Sequence, residues 1–170
     1  MTAVSDDGGK PTGELREFVD GSATVLLSNR QDVEVDEDAL AGLATTALRG
    51  EGVDAFELSV SLVDADEMAD LRRTYLGEEG PTDVLSFALD DVDGDGVRVL
   101  GDVVICPAYA AASNDDLDQE LRLLVVHGVL HLLGHDHEDG DERAEMWAKQ
   151  ERYSGVTVDA GGVERTRAAE

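Results

Sequence analysis

A chain of 170 residues with 42% hydrophobic content is long enough to bury a core and most simply forms one domain. Thirteen basic residues against 39 acidic ones give a formal net charge of −26, which taken alone argues against a nucleic-acid partner gripped by a basic face. The single cysteine excludes an intramolecular disulfide, and neither a signal peptide nor a membrane-length apolar run is visible, so a cytoplasmic protein is expected.

Residues 1–21 are polar and rich in Gly and Asp, and are expected to form a disordered tail. Ala23 to Ser28 reads as a first strand. From Val35, apolar residues at Leu40, Leu43, Ala44, Ala47 and Leu48 mark one helix face, opened by Asp36, Glu37 and Asp38 and stopped by Gly50 and Gly52. Phe56 to Val63 alternates apolar and polar residues, the mark of a half-buried strand. Asp64 with Glu67 makes a capping box for a helix that carries Met68, Leu71 and Tyr75 and ends by Gly77.

Gly80-Pro81 breaks the chain before a third strand, Val84 to Leu89. Asp90 to Gly96 is acidic but lacks the closing Glu and flanking helices of an EF-hand, so it reads as a surface turn. Leu100 to Pro107 is a fourth strand, with Cys106 as a small buried hydrophobe and Asp102 as a carboxylate serving the backbone or the chemistry. A short link, Tyr109 to Asn114, leads to Asp115 or Asp116 as cap of a helix running into the histidines. Glu138 to Tyr153 reads as a last helix with Met146, Ala148 and Tyr153 as core contacts, and residues 155–170 as a frayed tail. The expected fold is α+β, a single domain over 22–154, with a four-stranded mixed sheet packed on a central histidine-bearing helix and several further helices.

All four histidines lie between Leu121 and His137, within an otherwise apolar run. Buried imidazoles are costly unless something satisfies them, and one metal ion can satisfy several. His127 and His131 are i and i+4 on one helix face, a spacing that two rings can close onto one ion. His131 and His135 repeat that spacing, but His127 and His135 would stand about 12 Å apart along the axis, so the two pairs cannot share a site. Gly134 is placed to end the helix, which lets His137 swing back toward His127 and His131 and leaves His135 in the turn. The ligands are therefore taken as His127, His131 and His137, with His135 as a bystander or a wall of the site. Three neutral nitrogens leave one tetrahedral position open, the pattern of a hydrolytic zinc site holding one Zn2+ per chain and activating a water. Gly128 stands where an HExxH peptidase carries its general base, so peptidase chemistry is not expected.

The run HGVLHLLGHDH (127–137) resembles the signature HGxLHLxGxDH of the YbeY family, the bacterial zinc-dependent endoribonucleases and ribosomal RNA maturation factors. Pro81 to Phe87 resembles that family's PTDVLSFP stretch, with Ala88 in place of its last proline, and Leu100 to Ile105 resembles LGDIVI. The resemblance spans about Leu58 to Tyr153. It implies His127, His131 and His137 as metal ligands, single-stranded RNA (ribosomal RNA above all) as substrate, and ribosomal subunit components as further partners, with no DNA and no membrane. It also implies that Ser86 lies near the cleft. The family's arginine before this stretch falls at Leu76, so Arg72 and Arg73, one turn earlier, become the candidate substrate-binding cations. That departure and the acidic charge favour an alternative, a non-catalytic ribosome-assembly or RNA-binding factor with a structural zinc. The general base is not identified; Asp136 is weighed for it, against a role beside a metal-bound imidazole.

Overall fold

The computed structural model describes residues 15–113, 115–135 and 140–155. Along the chain run β1 (Leu15–Asp20), β2 (Ala23–Arg30), α1 (Glu37–Gly50), β3 (Phe56–Val63), α2 (Ala65–Leu76), β4 (Val84–Val92), β5 (Arg98–Ile105), α3 (Pro107–Ser113), α4 (Leu117–Leu132) and α5 (Gly140–Ser154). Aspartates open three of the helices: Asp36 accepts from the Ala39 amide, Asp64 from Glu67 and Asp116 from Gln119. Each such cap is worth about 1 kcal/mol and satisfies an amide the helix cannot.

The sheet has five strands, not the expected four, in the order β1-β2-β3-β5-β4. Strands β2, β3 and β5 are parallel, and β1 and β4 are antiparallel edges. The extra strand is β1, which occupies part of the stretch expected to be disordered. It is a hairpin partner of β2, turned at Gly21 with φ 64°. Besides the ladder to β2, its inward apolar anchor is Phe18, and its side chains are otherwise held by ion pairs: Arg16 reaches Glu37 and Asp38, and Arg49 reaches Asp20. Those partners lie far along the chain, so the strand leaves little local signal.

Other boundaries shift slightly. Strand β4 runs past Leu89 to Val92, with its ladder irregular between Ala88 and Asp91, before Asp93 accepts from the Asp95 and Val97 amides in the acidic turn. Strand β5 begins at Arg98, and Pro107 opens α3 instead of closing the strand. On α5, Met146 is buried and Tyr153 half-buried, but Ala148 is exposed.

The main core lies between one sheet face (Val25, Leu27, Leu58, Val60, Val103, Ile105) and helices α1 and α4. Helix α4 is buried nearly all round at its centre, which is why its sequence lacks a polar stripe. Each fully buried leucine or valine there contributes about 1.5–3 kcal/mol. The opposite face carries a smaller cluster, where Met68 of α2 meets Val63, Leu85, Val104 and Cys106.

Candidate metal centre and cleft

Helix α4 delivers His127 and His131 and then stops. Gly134 takes φ 97°, its amide donates to the His131 carbonyl, and the His135 amide donates to the Leu130 carbonyl. This paired closure suits a glycine, because a side chain is strained at that φ.

The first two histidines converge. Their ring centroids are 4.7 Å apart at an interplanar angle of 65°, and both Nε2 atoms are buried. His127 is 6% exposed, and its Nδ1 lies 2.8 Å from Oε1 of Gln150, itself 3% exposed on α5. With an amide oxygen as partner, Nδ1 carries the proton and donates, so the lone pair sits on Nε2. Two adjacent buried imidazoles, one of them held as a nitrogen donor, fit a shared divalent ion of the zinc type. Among the described residues no group of three potential ligands forms. His137 and Asp136 lie outside the described residues.

His135 faces elsewhere. Its Nε2 is 3.2 Å from Oε1 of Glu51, the C-cap of α1; Lys149 Nζ donates to the same oxygen at 2.8 Å, and Tyr153 donates to Oε2 at 2.5 Å. Burial alone would raise the Glu51 carboxyl, but the hydrogen bonds from Lys149 and Tyr153 and the Lys149 charge outweigh it and hold the group below its ordinary value. The Tyr153 hydroxyl is pushed up in turn, by burial and by the same carboxylate.

Gly128 has a packing role that the sequence does not announce. A Cβ there would lie 2.6 Å from Cγ1 of Val103 and 3.3 Å from Oγ of Ser86. Position 128 therefore presses on the sheet, and Gly128 lets α4 approach strands β4 and β5 closely. Ser86 donates from β4 to the Gly128 carbonyl at 3.5 Å, a long bond.

Beside this contact a cleft of about 140 Å³ opens between the end of α4 and the edge strand β4. Leu76, Ser86, Phe87, Ala88 and His131 are among its walls. Ser86 thus reaches the cleft, as does Leu76. Arg72 and Arg73 are not brought to it. Arg72 braces the loop before β4, bonded to the Glu78 carboxylate and the Glu79 and Gly80 carbonyls. Arg73 pairs with Asp70 on the exposed helix surface. Asp102 lies between Ser59 and Phe87 in the sheet and alternates with the core residue Val103, so it occupies the face away from α4. Burial raises its carboxyl, and a hydrogen bond with Ser59 opposes the rise in part. Gln150 and Glu51 carry no signal in the sequence: each is an ordinary polar residue near a helix end, and only its distant partner marks it.

A mixed sheet with a buried histidine pair beside its antiparallel edge defines a single-domain α+β protein whose cleft lies between helix and edge strand. Residues 26–155 match the family model described as Endoribonuclease YbeY. An endoribonuclease YbeY of Frankia alni is 47% identical over 143 residues, covering 75% of this chain and 79% of the relative. One from Salinispora tropica is 43% identical over 145 residues, covering 76% and 92%. The solution structure of TM1509 from Thermotoga maritima superposes with a TM-score of 0.50 at 30% identity, covering 78% of this chain and 86% of that one. The chain belongs to the endoribonuclease YbeY family. That membership makes it an endoribonuclease, a hydrolase acting on RNA.

Proposed function

We propose that this endoribonuclease is metal-dependent, acts on single-stranded ribosomal RNA in the cytoplasm during its maturation and quality control, and uses His127, His131 and His137 to hold one zinc ion. The observation that carries the reading is the His127–His131 pair, adjacent, buried at both Nε2 atoms, and bordering the cleft through His131. His127 and His131 would hold the ion, which would supply Lewis acidity toward a phosphodiester oxygen. The chain's own residues orient and exclude. Ser86 offers a hydroxyl on the cleft wall to a phosphate or ribose oxygen, and Leu76 and Phe87 make the neighbouring wall apolar. Arg72 and Arg73 lie outside the cleft lining, where Glu78 and Asp70 engage them.

The test is elemental analysis of purified wild type and His137→Ala, followed by cleavage of single-stranded ribosomal RNA with and without chelator. One zinc per chain, little in the variant, and chelator-sensitive cutting are expected. Product ends then separate two routes: attack by water leaves a phosphate monoester, whereas attack by the ribose 2′-OH leaves a cyclic phosphate first. A second reading of the metal, in which the zinc is structural and ribosome assembly is the chain's main role, is favoured by Leu76 at the cleft wall and by the charge of −26. Zinc binding without cutting at both low and high salt would select it.

A further inference from the structure

The structure assigns Gln150 as the residue that sets the tautomer of His127, and so as a positioning residue for the histidine pair although it stands on a different helix. The inference rests on the metal reading above and adds a residue to it. Gln150 Oε1 is 2.8 Å from His127 Nδ1, with both residues almost wholly buried. An amide oxygen can only accept, so the imidazole proton is held on Nδ1 and the Nε2 lone pair stays available. Were the amide nitrogen turned to Nδ1 instead, it would donate there, force the proton onto Nε2 and block that atom as a ligand. The choice between two ring nitrogens is thus made by one side chain 23 positions along the chain.

The surroundings hold Gln150 against His127. Helix α5 is tied down on both sides of Gln150. Lys149 and Tyr153 bind Glu51 at the end of α1. One turn beyond Gln150, Ser154 donates its hydroxyl to the Gln150 carbonyl at 2.5 Å and accepts the Arg122 guanidinium of α4 on its own carbonyl, Nε at 2.9 Å. A helix anchored to α1 and α4 within one turn of Gln150 cannot slide without breaking these bonds. A neutral amide also directs the proton without adding a buried charge, which an isolated carboxylate would cost.

The first experiment needs no substitution: long-range 1H–15N correlation on metal-free wild type reports which His127 nitrogen is protonated. The Nδ1–H form is expected; a dominant Nε2–H form would overturn the assignment whatever the zinc content. The second is zinc affinity by competition with a chromogenic chelator for wild type, Gln150→Leu and Gln150→Glu, each checked for native helix content. Gln150→Leu should bind zinc about 10–100-fold more weakly, and Gln150→Glu, which keeps the acceptor, should stay within a few-fold of wild type. A folded Gln150→Leu of undiminished affinity would overturn the role of Gln150 while leaving the zinc site standing. A wild type that binds no zinc would overturn the metal reading itself. If Gln150→Leu does not fold, the tautomer measurement and the Gln150→Glu affinity still decide: Gln150→Glu weakened as far as expected for Gln150→Leu would refute an acceptor role.

Discussion

His127–His131 and His131–His135 have the same spacing in one run of sequence, yet the fold treats them differently. The first pair stays on the helix, rings in contact, with Gln150 behind it. The second is divided by the turn at Gly134, and His135 leaves to join Glu51, Lys149 and Tyr153. One group is a pair buried at both Nε2 atoms, of which His131 borders the cleft; the other ties α1, α5 and the end of α4 together. An i, i+4 pair of histidines is therefore only an opportunity. The partners of the ring nitrogens not aimed at a ligand decide what each histidine does.

The largest effect should come from breaking the first group. His127→Ala, His131→Ala and His137→Ala should each lose most of the zinc and at least about 100-fold in RNA cleavage, whereas His135→Ala should keep most of its metal; equal loss in His135→Ala would erase the contrast. Chelation of wild type should reproduce the loss, and added zinc should restore it. Next is the surface on which the pair rests. Gly128→Val places methyl carbons against Val103 and should destabilise the protein by about 1–3 kcal/mol in urea unfolding, more than Gly128→Ala, whose better helix propensity offsets part of the clash.

The second group should break differently. Glu51→Gln should lower stability by about 1–2 kcal/mol near neutral pH while leaving zinc stoichiometry at the wild-type value. Because the folded protein holds this carboxyl below its ordinary value, its contribution is present above the unfolded pKa, about 4.3, and is lost as pH falls through the lower folded value. The difference between wild type and variant in urea midpoint should close on acidification. A gap that persists at low pH would mean that the carboxylate charge is not what anchors α5.

The smallest effect belongs to the far sheet face. Asp102 is raised by burial, so the folded state loses stability as pH climbs from the unfolded value through the raised folded one. Asp102→Asn should be more stable than wild type by a few tenths of a kcal/mol at neutral pH, with no advantage below about pH 4 and unchanged cleavage. A large loss of cleavage would return Asp102 to the chemistry.

Much of the scaffold is legible in the sequence. Capping aspartates, alternating apolar residues and helix-period stripes act between residues at most four positions apart, and Asp36, Asp64, Asp116 and Gly134 do locally what their patterns imply. The histidine motif likewise announced both the helix and its end. Strand β1 leaves no such pattern, because its ladder to β2 is backed by one apolar anchor and ion pairs to α1, and a polar edge strand has no periodic core face to betray it. The histidines are legible in the sequence as a list, but their partners are not. Gln150 meets His127 across 23 positions, Ser86 meets Gly128 across 42, and Glu51 meets His135 across 84. Short spacing can place two imidazoles on one face. Which nitrogen carries the proton, which histidine is drawn away, and which wall the cleft presents depend on side chains that only the packing of α1, α5 and β4 around α4 brings within bonding distance.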